Sequence, residues 1–550
     1  MNLPTMLSAF SHVSTKRTPR RFRASALFLA GQVLALAGAA CLVQAESPAG
    51  SPNILFIAAD DLKPVLGCYG DPLIKTPNID RLAARGTVFL QNYCQQAVCG
   101  PTRASLMTGK RPDYTQVWDL KTRMRDIHPD ILTLPQYLAQ QGYVTAGIGK
   151  IYDPRCIDNG KDQDKPSWSI PYFDIPARSY YQKQPPVLGY YQDPATRQGA
   201  QKYEAEARAQ GLKPQDLREY VTNRLLPSVE HLDVPDHAYK DGAMADRAVE
   251  ILATLAKENQ RFFFAVGFAR PHLPFAVPQK YWDLYRRAEM PLAKFQQHAR
   301  HSPELAYHDS GELRAYTDIP PLARFTDIKT KGIGLPVEKQ RELIHGYYAA
   351  VSYVDAQVGK LLDALEAQGL SQNTIVVLWG DHGWHLGDHD LWCKHTNFEE
   401  AARAPLLIAA PGFAAGRTRA VTEFVDIFPT LCDLTGIKRP GDLDGQSLVP
   451  LMKSPSASVK EYAVSQYPHE GKMGYSIRTA RYRLTWWMPN GFRSTRPFIR
   501  DSVVARELYD YEQDPLETVN VVADARYEQT TAELEEKISA FFKHTASAAH

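Results

Sequence analysis

The chain has 550 residues, 44% of them hydrophobic, enough for one large domain and a smaller one around a substantial core. A formal net charge of +2 supplies no global field for nucleic acid, so any anion must be held by a local cluster of charges. The 7 cysteines are scattered and show neither CxxC nor Cys/His spacing, which excludes a disulfide scaffold and a structural zinc module.

The N-terminus places basic residues between Lys16 and Arg23 ahead of an apolar run from Ala24 to Val43, and Val43-Gln44-Ala45 is a small-x-small cleavage pattern. Residues 1–45 are therefore predicted to be a signal peptide, leaving a secreted or periplasmic protein with no stable membrane insertion. A run of about 20 apolar residues can also span a bilayer, but its glycines and alanines and the cleavage pattern favour removal. Gly38 stands where a lipid-attachment motif at Cys41 needs a larger aliphatic residue.

The mature chain opens with a continuous apolar run, Pro52 to Ala59, that ends in Asp60-Asp61. Asn78 is predicted to cap the next helix, Pro101 to open a helix directly after Cys99, and Thr133 to cap a third. Strand-length runs follow at Val144 to Ile148, Phe262 to Phe268, Thr374 to Leu378 and Pro405 to Ala410. Tyr347, Val351, Val354, Val358, Leu361 and Leu365 recur at helical spacing, so residues near 337–368 form an amphipathic helix. This alternation predicts an α/β fold, a large mostly parallel sheet flanked by helices. The stretches 152–240 and 296–338, rich in Tyr, Pro, Gln and charge, are predicted loops around a cleft. Past the SPSAS stretch at Ser454 to Ser458 come shorter strands, at 461–467 and 482–487, and a helix near 527–543. The predicted division is a catalytic domain over 46–454 and a C-terminal α+β subdomain over 455–550.

Open sheets gather ligands at the carboxyl ends of their strands. Asp60-Asp61 and Asp381-His382 both follow apolar runs, and three carboxylates with one imidazole suit a divalent cation, calcium above others for its preference for oxygen. One Asp of each pair could instead cap a turn. Lys150 follows the Val144 run, and His272, in the pKa range for proton transfer, follows the Phe262 run. Cys99 stands at a helix start, where backbone N–H groups, Arg103 and Lys110 favour an anion.

The segment Cys99-Gly100-Pro101-Thr102-Arg103, followed by Leu106-Met107-Thr108-Gly109, resembles the signature of the type I sulfatases, in which this cysteine is oxidised to formylglycine. The ordered set Asp60-Asp61, Cys99 to Gly109, Gly149-Lys150, His272, Asp381-His382 and Lys394 resembles the whole active site of that family. The resemblance implies an alkaline-phosphatase-like sandwich, a sulfuric ester hydrolase and a maturation enzyme that generates formylglycine. It also implies calcium held by Asp60, Asp61, Asp381, His382 and modified Cys99. Arg103, Lys110, Lys150 and Lys394 would offset sulfate charge, and His272 would protonate the leaving group.

Further matches at Ala265-Val266-Gly267, Ser352 to Gly359, Asp381 to Trp384, Ser465 to Pro468 and Met473 to Thr479 are similar to the branch that removes 2-O-sulfate from uronic acids. A sulfated glycan is the implied substrate, with Trp168, Tyr172, Tyr180 and Tyr181 as sugar-stacking candidates. One departure is Asp153, which stands where related enzymes carry histidine. It is expected to act as a base and to raise the local negative charge. The alternatives are another sulfated polysaccharide, a phosphomonoester or phosphonate, and a catalytically impaired glycan-binding homologue.

Overall fold

Continuous apolar runs become central strands here because helices cover both faces of the sheet. The computed structural model describes residues 50–173, 175, 187–258, 260–320, 334–489 and 502–547, and the predicted signal peptide lies outside them. The main sheet contains β1 (Asn53–Asp60), β2 (Thr87–Tyr93), β3 (Val144–Gly149), β4 (Phe262–Pro271), β5 (Thr374–Gly380), β6 (Leu406–Ala409) and β7 (Gly416–Glu423). Their order is β7-β2-β6-β5-β1-β4-β3. β1 runs parallel to β4 and β5, β3 to β4, and β7 to β2, while β6 is antiparallel to both neighbours.

The helices that position the site are α1 (Pro77–Ala83), α2 (Cys99–Thr108), α3 (Leu134–Gln140), α4 (Pro194–Ala209), α5 (Pro214–Thr222), α6 (Lys240–Lys257), α7 (Val337–Ala367), α8 (Ile427–Thr435) and α9 (Glu528–Ser547). Side chains alternate across a strand, so β1 feeds two cores. Leu55, Ile57 and Ala59 pack with Met244 and Leu252 of α6 and Val351 and Val358 of α7. Ile54, Phe56 and Ala58 pack with Leu106 of α2, Leu138 of α3 and Phe428 of α8. Full burial of each large apolar side chain is worth about 1.5–3 kcal/mol, and the two layers together give the expected α/β class.

Three local expectations are corrected. α1 begins at Pro77, so Asn78 lies inside it and does not cap it. The exposed N–H groups of its first turn are met from outside, by Asp355 of α7, whose carboxylate accepts from Ile79 N at 2.7 Å and from the Asn78 side chain at 2.8 Å. α2 starts at Cys99, which makes Pro101 its third residue; its missing N–H is harmless anywhere in a first turn. The stretch 152–240 is partly helical, because Ala200, Ala207, Leu217 and Val221 of α4 and α5 bury against Leu188 and Tyr191. Alanine-based packing of that kind leaves little hydropathy signal.

The four strands β8 (Ala463–His469), β9 (Lys472–Arg478), β10 (Tyr482–Met488) and β11 (Ala505–Asp510) form an antiparallel sheet in that order. Leu534, Ile538 and Phe542 of α9 pack against Leu484, Trp486 and Leu508 of this sheet. Glu399 ties it to the larger layers, pairing with Arg478 at 3.1 Å and Arg483 at 2.7 Å. Among the described residues no helix is long and apolar enough to cross a membrane, and the described cysteines are all free and buried.

Candidate active site

Parallel neighbours end on the same rim, which brings residues far apart in sequence together. Asp60 and Asp61 come from the end of β1, Asp381 and His382 follow β5, His272 follows β4, and Lys150 follows β3. The turn into Lys150 depends on two glycines. Gly149 has a φ of +85°, and a Cβ on Gly267 would lie 2.2 Å from the Lys150 carbonyl oxygen. Asp61 also turns sharply, with a φ of 60°. Its N–H donates to Asp381 Oδ1 at 2.9 Å, and its carbonyl accepts from the Tyr347 hydroxyl at 2.7 Å, so α7 braces the end of β1.

Cys99 Sγ lies 3.4 Å from His382 Nε2 and 3.9 Å from Asp61 Oδ1. The potential ligand atoms of Asp61, Cys99, Asp381 and His382 all fall within 4.8 Å of one another, and the four residues are buried. Arg103, one α-helical turn beyond Cys99, donates through Nε to Asp381 Oδ2 at 2.9 Å and through Nη2 to Asp60 Oδ1 at 3.0 Å. Its Nη1 donates to the carbonyls of Lys150 and Ile151. The guanidinium is thus a clamp behind the carboxylates.

Lys150 Nζ donates to Asp60 Oδ2 at 2.5 Å. Lys394 Nζ donates to both Asp61 oxygens at 2.9 Å and to Glu312 Oε1 at 3.1 Å. His272 Nε2 lies 3.7 Å from Asp61 Oδ2 and 3.1 Å from Glu312 Oε1.

Burial disfavours the charged form of every group here, and the neighbours decide the outcome. Burial would raise Asp60, yet Lys150 and Arg103 hold it well below the usual carboxylate range. Burial would lower His272, but the Asp61 carboxylate outweighs it and the imidazole is raised. Burial would likewise lower Lys394, which Asp61 carries well above its ordinary value. For Cys99, burial and the Asp60 charge act together and push the thiol far up. A reactive cysteine needs its thiolate, so the unmodified Cys99 thiol is a poor nucleophile where it stands.

Residues 52–437 match the sulfatase family model, and residues 387–544 match the model described as N-sulphoglucosamine sulphohydrolase, C-terminal. The chain belongs to the sulfatase family. It is 32% identical to human (Homo sapiens) iduronate 2-sulfatase over 88% of this chain and 93% of that protein. A structure solved in complex with D-glucosamine-2-N,6-O-disulfate superposes with a TM-score of 0.64 at 22% identity, covering 90% of this chain and 98% of its own. The phosphonate monoester hydrolase of Agrobacterium radiobacter gives the same TM-score of 0.64 at 22% identity, covering 90% and 96%. These likenesses fix an alkaline-phosphatase-like fold, and family membership makes the protein a sulfuric ester hydrolase.

In this sulfatase the rim unites Asp60, Asp61, Cys99, Arg103, Lys150, His272, Asp381, His382 and Lys394, all named from sequence. Lys110 is not brought in; its ammonium pairs with Asp442 at 2.9 Å and Asp444 at 3.4 Å. Asp153 is buried, but the expected excess of negative charge is corrected by Arg155, whose Nε and Nη2 fork onto the carboxylate at 2.9 and 2.7 Å. Lys150 Nζ stands 3.9 Å from the same carboxylate. Trp168 and Tyr172 are not open sugar platforms. Both pack against Gly147, and the Tyr172 hydroxyl donates to the Gly149 carbonyl at 2.9 Å. Tyr180 and Tyr181 lie outside the described residues. Glu312 is the site residue that sequence reasoning misses, since it sits on the short helix Gly311–Arg314 in a stretch without motif or periodicity.

Proposed function

We propose that this sulfatase removes the 2-O-sulfate of a uronic acid in a sulfated glycan, after secretion and after oxidation of Cys99 to formylglycine by a maturation enzyme. The observation that carries the reading is the placement of Cys99 inside a buried set of three aspartates and one histidine, flanked by Lys150, Lys394 and His272. The similarity to iduronate 2-sulfatase supports the choice of sugar.

The ligand atoms of Asp61, Asp381 and His382 are close enough to share one cation, and carboxylate oxygens suit calcium. Asp60, joined to Asp381 through Arg103, completes that set. Cys99 joins it as an oxygen donor only once its sulfur has been replaced. A bound calcium would supply Lewis acidity toward a sulfate oxygen, and a formylglycine at position 99 would supply a hydrated aldehyde as nucleophile.

The remaining work belongs to side chains already in place. Lys394 and Lys150 exchange part of their carboxylate contacts for sulfate oxygens and offset the charge that builds up as the ester breaks. Arg103 positions Asp60 and Asp381 from behind. His272, held by the Leu273 carbonyl 2.6 Å from Nδ1, aims Nε2 into the site and delivers a proton to the leaving sugar oxygen. Asp153 is the base on the Lys150 side, although the Arg155 fork lowers its proton affinity and so weakens it in that role.

Paired nitrophenyl esters test the reaction class. Matured protein is expected to hydrolyse the sulfate far faster than the phosphate. A preference for the phosphate or for a phosphonate would replace the proposal with phosphorus chemistry on the same fold, and saturable binding of sulfated glycan without turnover would replace it with a binding role.

A further inference from the structure

A cavity of about 350 Å³ lies beside the His272 segment, lined by Tyr190, Tyr239, Lys240, Arg270, Leu273 and Tyr316, among others. Arg270 and Leu273 bracket His272 in sequence, so the cavity shares a wall with the reaction site. Lys240, the first residue of α6, is half-buried, and its ammonium makes no hydrogen bond or ion pair with any described residue. Asp241 also lines the cavity, but its carboxylate is engaged by backbone, accepting from Ala269 N at 3.0 Å and from Arg270 N at 2.7 Å. Among the described residues the Arg270 guanidinium donates to backbone carbonyls alone, of His272 at 2.7 Å and of Ala276 at 3.4 Å.

Two cations therefore share one wall without a carboxylate side chain ion-paired to either among the described residues. Burial lowers the proton affinity of Lys240; Asp241 opposes this, and the positive charges of Lys150 and Arg270 add to it. An incoming anion would relieve that repulsion, because a charge removed from water without a partner is costly. Tyr190, Tyr239 and Tyr316 add aromatic side chains to the cavity lining, Tyr239 and Tyr316 being themselves buried.

We infer that this cavity is a subsite for a second anionic group of the substrate, a carboxylate or a neighbouring sulfate, held by Lys240 and Arg270 while the sulfate to be cleaved lies at Cys99. The inference rests on the proposed action on a 2-O-sulfated uronate and names the side chains that would read an anion other than the sulfate being cleaved.

The test compares kcat/KM of the matured protein on three disaccharides: a 2-O-sulfated uronate, its carboxyl-reduced counterpart, and that counterpart with a sulfate added on the neighbouring sugar. Nitrophenyl sulfate serves as the single-anion reference. A charge-assisted contact predicts a wild-type preference for a dianionic sugar of about 10- to 100-fold. Lys240→Met should abolish that preference, and Lys240→Arg should retain it. Preference for the uronate identifies a carboxylate pocket, and preference for the added sulfate identifies a sulfate pocket; both support the subsite. An undiminished preference in Lys240→Met, or a wild-type enzyme that cleaves nitrophenyl sulfate yet ignores the second anion, overturns the subsite and leaves the sulfatase reading intact. Failure of wild type on every sulfate ester overturns both.

Discussion

His272 Nε2 lies 3.1 Å from Glu312 Oε1, and the same oxygen lies 3.1 Å from Lys394 Nζ. One carboxylate thus spans the acid and the cation that flank the reaction site. Burial works against protonated His272, Asp61 works for it, and Glu312 adds to Asp61. Glu312→Gln should therefore lower the pKa of His272 and move the alkaline limb of the kcat/KM profile to lower pH, while Glu312→Asp should restore it. An unmoved limb in the Gln variant would remove Glu312 from the account.

Arg103 should govern the metal more than the substrate. Its fork fixes Asp60 and Asp381, and loss of such an outer partner typically costs about 10- to 100-fold in metal affinity. Calorimetric titration of Arg103→Lys with calcium should show that loss. Unchanged calcium affinity with weakened substrate binding would place the guanidinium on the sulfate instead.

Cys99 should be silent as a thiol. With burial and Asp60 holding its pKa far up, protein made without the maturation enzyme should be no more active than Cys99→Ala. Mass spectrometry of the Cys99 peptide from active protein should show an aldehyde in place of the thiol. Active protein with an intact thiol would contradict the formylglycine reading.

Much of this site is legible in the sequence because buried parallel strands are continuous apolar runs, and a charge at the end of such a run marks the rim of the sheet. Asp60, Asp381, Lys150 and His272 announce themselves in that way. Glu312 does not, because its place depends on a loop folding back over the rim. Asp355 is similarly hidden. It reads as one polar residue within an amphipathic helix, yet it caps α1 from across 277 positions of sequence. Arg155 shows why a local departure such as Asp153 is hard to interpret alone, since the neutralising charge comes from a residue that belongs to no motif.

Glu507 sets a pH dependence away from the site. Burial raises its carboxyl to about 7, partly opposed by hydrogen bonds from Trp487 and Tyr509. The folded protein holds this proton more tightly than the unfolded chain, whose carboxyl titrates near 4.5, so the contribution is full below that pH and is lost as pH rises toward 7. The amount is about 3 kcal/mol. Denaturation of Glu507→Gln should show a flatter stability profile than wild type between those limits. Parallel profiles would mean that Glu507 stays ionised.

Sulfate release from a 2-O-sulfated uronate disaccharide, followed for matured wild type and Cys99→Ala side by side, decides whether this protein is a formylglycine-dependent uronate 2-O-sulfatase. A formylglycine-dependent uronate 2-O-sulfatase predicts repeated turnover by wild type and a loss of at least about 1,000-fold in the variant, as expected when a nucleophile is deleted. Equal rates in the two proteins, or no release by a wild type shown to carry formylglycine, would contradict it.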